Sequence, residues 1–429
     1  MGISYNPSIV TEGLVLGLDP QSTRSYVGSG TTWTDLTNRG NSGTLTNGPV
    51  FIPGGPFNNS GGSVLFDGDV DYLTLASSND FNFDGDFTIE AWIYFSSFTT
   101  YLPIIETRSS ASSTPYAFGV FDSSGYRLDF LYASSARITS SSLVTPNKWT
   151  HVSVTRSSST IRLFIDGVLD ANLNSYSPAI NASSSLRIGS IVDPIYFSGH
   201  ISNLRILKGT ALYTSNFTPP TGPLEAIDDT VLLTCQGGAI TDNGPSSHAI
   251  TVNNDAEAIT ASAFEFDGSN DYVSVSNSNS LNPLTNTLIC WAKSNTATWN
   301  ENGFLMSKRD VFIMHPNISS TTVSYYYRLN NVWISQTITV DNIQQWNMYA
   351  CSWDGTTLSA YLNGNLINSG VKTGPLNTSD TGVLEIGRDD GLGSRVFNGN
   401  IGLAQLYNRA LTEDEVKRNF SALRGRYGI

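Results

Sequence analysis

Charge is scarce in this 429-residue chain: Asp, Glu, Lys and Arg together make up 14% of it, against roughly a quarter in an average globular protein. Helices are usually surfaced with those residues, so the scarcity argues against a helical, coiled-coil or charged disordered chain. Basic residues are the scarcer sign, 23 Lys and Arg against 36 Asp and Glu, for a formal net charge of −13. Nucleic acid, which is held mainly through Lys and Arg, is therefore not expected as a partner. Cysteine occurs three times, at Cys235, Cys290 and Cys351, too few and odd in number for a disulfide framework. No apolar run reaches the roughly 18 residues needed to cross a bilayer as a helix, and Met1–Val10 lacks the basic stretch followed by an apolar one that marks a secretory leader. Neither membrane insertion nor a signal peptide is expected. What fills the space is Ser, Thr, Asn and Gly around a 39% hydrophobic content, a composition of strands joined by many turns.

The chain repeats itself. Phe66-Asp67-Gly68-Asp69-Val70-Asp71-Tyr72-Leu73 returns 200 residues later as Phe266-Asp267-Gly268-Ser269-Asn270-Asp271-Tyr272-Val273. Further landmarks follow in the same order at offsets of 197 to 200 residues: Trp92 and Trp291, Trp149 and Trp346, Phe164-Ile165-Asp166-Gly167 and Tyr361-Leu362-Asn363-Gly364, Leu186 to Gly189 and Leu384 to Gly387, Phe197-Ser198-Gly199 and Phe397-Asn398-Gly399. Such conserved order and spacing marks two copies of one domain. Pro219, Pro220 and Pro223 lack backbone donors and do not fit inside a sheet, so the expected linker is Phe217–Pro223 and the expected domains are 1–222 and 223–429. A weaker echo, Leu14–Leu18 with Val231–Cys235, places a first strand at the start of each copy.

Within the copies apolar residues alternate, as in Phe87, Ile89, Ala91 and Ile93, or Val152 and Val154, which is the pattern of half-buried antiparallel strands. Asp-Gly pairs at Asp67, Asp166, Asp267 and Asp354 predict tight turns. The reading is all-β, two tandem sandwiches. One helix is predicted at the end, roughly Glu413 to Leu423, from a Thr412/Glu415 capping box, apolar residues at helical spacing and basic residues in the last turn. Aligned copy to copy, the cysteines fall on Leu18, Ala91 and Val154, inward apolar positions, and are expected to pack as small hydrophobes.

The succession FDGxxDYL, FTIEAWIYF, NKWTHVSVTR, LFIDG, LRIG and FSGHISNLRI resembles the concanavalin A-like lectin/glucanase superfamily, in its laminin-G-like jelly-roll branch, nearly end to end and twice over. The opening GLVLGLDPQSTRSYVGSG, the stretch TVLLTCQGG and the ending LYNRALTEDEVKRNFSALRGRYGI resemble segments of tailed-phage virion proteins that carry such domains. The first resemblance implies two facing antiparallel sheets, with ligands on the concave face or its rim. The second implies a virion protein assembled in the host cytoplasm, on a fibre, the tail or the head, whose partners are other virion proteins and a host-surface polysaccharide, and which can be a homo-oligomer. A module with protein partners only is the alternative; a glycoside hydrolase or polysaccharide lyase is a third.

Retaining glucanases of that superfamily carry Glu-x-Asp-x-x-Glu on one strand, setting nucleophile and acid about 5–5.5 Å apart. Here the nearest match is Glu265-Phe266-Asp267 with Asn270 where the second glutamate would stand, and Leu65 replaces Glu265 in the first copy. The histidines, His151, His200, His248 and His315, show no metal-hydrolase spacing. No catalytic residue is assigned. Asp69, Asp71 and Asp271 sit on predicted loops and are candidate Ca²⁺ ligands, although Asp-Gly turns use aspartate for local hydrogen bonds as well. Sugar binding needs aromatic faces beside polar groups. Glu90, Trp92 and Tyr94 share a predicted strand face opposite the core, as Trp291 does in the second copy, and Tyr325, Tyr326 and Tyr327 followed by Trp333 extend an aromatic stretch there, with Tyr325, Tyr327 and Trp333 taken as ligand candidates. Trp92 and Trp291 also fit a structural role beneath a covering loop, and both readings stand at this stage.

Overall fold

A computed structural model describes residues 8–429 except 58–60, 97–100, 111–115, 121–124, 134–135, 183, 193–194, 238, 255, 301–302 and 390–394. Among the described residues the strands form four antiparallel sheets, two in each of two compact units. No helix there is long and apolar enough to cross a membrane.

One unit is continuous, Pro53–Thr260. Its first sheet runs in the order Val168–Leu173, Thr160–Ile165, Thr150–Ser157, Phe87–Tyr94, Ser198–Lys208, Ser63–Asp67, Glu257–Ile259. The second sheet runs from Ala136–Leu143 through Arg127–Ala133, Ala117–Val120, Leu102–Glu106, Leu186–Ile188 and Tyr72–Leu75 to Ile250–Asn253. The inward residues of both, Ile89, Ala91, Val152 and Val154 with Phe118, Phe130 and Ile188 among them, share one apolar core. The other unit, Met1–Ile52 with Ala261–Ile429, repeats this plan. Its sheets center on Asn286–Ser294 beside Asn398–Tyr407, and on Met306–Lys308, Phe312–Pro316 and Thr322–Leu329.

The boundary expected at 217–223 is corrected. Leu14–Leu18 pairs with Asn398–Tyr407 of the later copy, and Thr230–Thr234 pairs with Ser198–Lys208 of the earlier one. Each first strand thus completes the other repeat, and the continuous unit is inserted into the split one with its first strand moved to its end. Alternation cannot reveal this, because the two first strands are similar in apolar pattern and neither carries a mark of its partner. The proline stretch is no linker either. It lies across a sheet face, where no ladder donor is demanded of it: Phe217 N–H donates to Gly167 O (2.9 Å) and the Phe217 ring stacks on Tyr213 at 3.5 Å.

The repeated landmarks mark places where the fold tolerates little else. Gly199 and Gly399, at φ 140° and 152°, press against a neighbouring strand so closely that a Cβ would fall 2.2 Å from the carbonyl oxygens of Tyr94 and Lys293. Asp166-Gly167 and Asn363-Gly364 both hold positive φ at two successive residues, the backbone of a tight hairpin turn.

The terminal helix is Glu413–Leu423, with the capping box between Thr412 and Glu415 formed in both directions. No basic residue occupies its last turn, contrary to expectation. Arg424 is its C-cap, and Arg426 reaches instead to the Asp19 carboxylate at 2.8 Å. Val416 and Leu423 are buried with Trp291 and Tyr427, so the helix closes the outer face of its own unit.

All three cysteines are free and buried. Burial pushes the Cys235 and Cys351 thiols up to about 12, leaving almost no thiolate at neutral pH. Native protein should therefore resist a thiol-specific disulfide reagent, with three equivalents reacting only after denaturation; fast native labelling would contradict the packing role.

Candidate functional site

The expected sugar platform on the strand Phe87–Tyr94 is occupied by the protein itself. Glu90 is buried, accepting from Arg205 Nε (2.8 Å) and Nη2 (2.5 Å), His151 Nε2 (3.0 Å) and the Tyr213 hydroxyl (2.9 Å). Burial alone would raise the Glu90 carboxyl, but His151 and Arg205 outweigh it and hold it below the ordinary glutamate value. Trp92 is half-buried, edge-on to Phe57 and His151, and Tyr94 is buried beside Trp149 and His200. His151 is buried too. In the split unit Trp291 is fully buried, parallel to Phe420 at 5.8 Å and to Tyr427 at 4.0 Å. The structural reading of both tryptophans is the one realised, and Glu90, Trp92, Tyr94 and Trp291 are corrected as ligand contacts.

Tyr325 and Tyr327 are corrected as well. On the strand Thr322–Leu329 the inward phase is Val323, Tyr325, Tyr327 and Leu329, and the Tyr327 hydroxyl donates to Asn286 Oδ1 inside the core. Tyr326 takes the outward phase, and there it helps to build a cavity of about 270 Å³. Phe312–Pro316 contributes Ile313 and His315 to that cavity, Val332–Thr339 contributes Trp333, and the connections beside the sheet contribute Phe304, Arg309 and Arg395. Four rings run in sequence along it: Phe304 to His315 (4.7 Å), His315 to Tyr326 (5.5 Å), Tyr326 to Trp333 (6.4 Å, nearly perpendicular). Trp333 is 37% exposed. Of the residues taken as ligand candidates, Trp333 lines this cavity. The phase of Val323 and Leu329, visible in the sequence, identifies Tyr326 over its neighbours; Phe304, Arg309 and Arg395 come from connections whose course no periodicity reveals.

The cavity has polar chemistry on one side. Asp389 is buried and paired with both Arg309 and Arg395, the latter at 3.5 Å, while the Arg395 guanidinium lies 5.6 Å above the Phe304 ring. Burial pushes His315 below the ordinary histidine value, so its ring is neutral at pH 7. Its Nδ1–H donates to Asn317 Oδ1 (3.1 Å), an acceptor fixed by the bonds that Asn317 Nδ2 donates to Thr322 and Ser324. Nε2 is left as the lone-pair nitrogen. Flat ring faces, an acceptor nitrogen and two guanidinium forks are the equipment of a small polyol site.

At the equivalent place the continuous unit has a smaller cavity of about 170 Å³ lined by Tyr101, Arg108, Ala117, Asp129, Leu131, Arg137, Ile191 and Ile195. Ala117 and Leu131 stand where the split unit has Ile313 and Tyr326, by strand register. Its two arginines have separate partners, Arg108 with Glu106 and Arg137 with Asp129.

The candidate calcium ligands hold turns. Asp71 Oδ2 accepts from Asp67 N–H (3.1 Å) and Asp271 Oδ2 from Asp267 N–H (3.2 Å), while Asp69 is exposed and its own N–H donates to Asp67. Among the described residues no three His, Cys, Asp or Glu side chains are grouped as a metal requires. A calcium ion does not fit these residues. Glu265 accepts from Asn295 Nδ2 (3.1 Å), and Asp267 from the Ser269 N–H of its own turn.

The family described as the concanavalin A-like lectin/glucanases superfamily matches residues 67–212 and 267–417, well over half of the chain. Among curated proteins, none matches. Similar solved structures include domains LG4-5 of the mouse laminin alpha1 chain, 12% identical over 85% of this chain and 93% of that one, with a TM-score of 0.31. A putative carbohydrate binding protein from Bacteroides ovatus is 17% identical over 45% of this chain and 61% of its own, at 0.34. Domain 4 of an extracellular arabinanase from Geobacillus stearothermophilus, in complex with arabinotriose, is 18% identical over 36% and 75%, at 0.31. What those proteins bind is a property of theirs.

Proposed function

The chain belongs to the concanavalin A-like lectin/glucanases superfamily, and from that premise we propose that it binds carbohydrate in the split unit's aromatic cavity without cleaving it, as a surface protein of a phage particle. The observation that carries the reading is the open run of Tyr326 and Trp333 beside Arg309 and Arg395 in a cavity of about 270 Å³, just below the roughly 300–1,000 Å³ usual for small-molecule sites. That volume suits one or two sugar rings. Binding without hydrolysis is supported by the carboxylate beside the cavity, since Asp389 is clamped between two guanidiniums; Glu265 and Asp267, which lie on the other sheet, are engaged locally. Glycosidic cleavage needs a free acid and a free base facing one bond.

The virion assignment is supported by the phage-like opening and ending of the chain. Its partners are then other virion proteins and a host-surface polysaccharide, and many copies on one particle would give weak sites avidity. Leu366, Ile367 and Val371, exposed on the edge strand Asn365–Val371, favour a second reading in which a protein partner covers that edge. The test is a glycan array probed with the full chain and with Trp333→Ala. The wild type should retain a defined set of glycans and the variant should lose them by at least tenfold with an unchanged melting temperature; equal binding by both would remove the cavity from the function.

A further inference from the structure

We propose that the sugar recognised in the split unit's cavity carries a carboxylate, the residue being a uronic acid or a sialic acid-like sugar rather than a neutral hexose; this rests on the carbohydrate reading of the same cavity. The argument is a local charge count. Among the described residues, Arg309 and Arg395 share the single carboxylate of Asp389, and His315 is neutral. Among the described residues that line the cavity or pair with its lining, one positive charge is in excess. Both guanidiniums keep about a third of their side-chain surface open, 36% and 34%, so their forks are not used up by Asp389.

A guanidinium fork matches a planar carboxylate through two parallel hydrogen bonds and is the natural partner for one. The surplus charge is local to this place. The chain as a whole carries −13, and beyond a Debye length of about 8 Å at physiological salt those remote charges are screened. The continuous unit supplies an internal contrast, since there Arg108 and Arg137 each have a carboxylate of their own and aliphatic residues replace Tyr326. A gene duplication that left one copy balanced, with Leu131 at the register of Tyr326, and the other positive, with a run of rings, has put anionic sugar recognition in the later repeat.

The measurement is titration calorimetry of the full chain against uronate oligosaccharides and sialyl oligosaccharides, each beside its methyl ester, which keeps the ring and removes the charge. Acids should bind at least tenfold tighter than their esters, one of the two sugar classes leading, with the advantage shrinking as salt rises. Arg395→Gln should bring the acid-to-ester ratio to about one, and Arg395→Lys should restore part of it. Esters binding as well as acids, with a ratio unmoved by Arg395→Gln, would overturn the acidic specificity and leave the carbohydrate reading standing. Failure of every acid and ester to bind would overturn both. Acid binding that survives both Arg395→Gln and Trp333→Ala would place the site elsewhere and overturn both for this cavity.

Discussion

Residues 53–260, produced alone, should fold and melt cooperatively, whereas residues 223–429, the second domain as the repeat would cut it, should not. The continuous unit contains both of its sheets and its core within one stretch. The other fragment keeps Thr230–Thr234 and Ile250–Asn253, which belong to sheets of the continuous unit, and loses Leu14–Leu18, Thr32–Trp33, Gly43–Thr46 and Val50–Ile52. With them go Val15, Leu16, Leu18, Tyr26 and Trp33 from one core, Trp33 packing edge-on to Phe264 at 4.8 Å. Truncating one large core side chain costs about 3–5 kcal/mol, and a whole domain is stable by about 5–15 kcal/mol. Loss of five such side chains exceeds that margin. If residues 223–429 melt cooperatively all the same, with Thr230–Thr234 docked in the vacated place, the two first strands are interchangeable and the exchange in the full chain is only one of two equivalent pairings.

The second large effect concerns the buried ion cluster. Glu90→Ala leaves Arg205 buried without its carboxylate and should destabilise the continuous unit by about 3–5 kcal/mol. The split unit shows another solution at the same register, with Ile289 where Glu90 stands and Met348 where His151 stands, both buried. Exchanging the whole cluster, as Glu90→Ile, His151→Met, Arg205→Met and Tyr213→Phe, should leave stability within about 1 kcal/mol of the starting protein or raise it, since a buried ion group and a packed apolar one of similar volume are often equivalent. Denaturant midpoints measure both. The sign with pH follows from Glu90 being held below its ordinary value: the cluster's stabilisation is present above the unfolded carboxyl's pKa and fades as pH falls through the lower folded one. The exchanged variant should lack that acid-side loss.

The duplication, the all-β class and the closing helix were legible because each is written locally, in turn residues, alternation and a capping box. Gly199 and Gly399 recur since nothing with a Cβ fits against the facing carbonyl. Which long strand each first strand joins was not legible, because the apolar patterns of Leu14–Leu18 and Thr230–Thr234 are similar and carry no mark of their partner. The site was half legible. Trp333 and the tyrosine run point to the right sheet, but the inward phase belongs to Tyr325 and Tyr327. Glu90, Trp92 and Trp291 have the composition of a sugar platform and are covered by parts of the chain distant in sequence, Tyr213 to Phe217 in one unit and Phe420 to Tyr427 in the other. An outward strand position tells which face a side chain takes; it does not tell what lies on that face.

The most direct measurement is a crystal structure of the full chain soaked with the oligosaccharide that binds it best in solution. A sugar ring against Trp333 and Tyr326, with a polar group within hydrogen-bonding reach of Arg395, is the predicted result. A ring bound over another surface, with the Trp333 cavity filled by water alone, would contradict it.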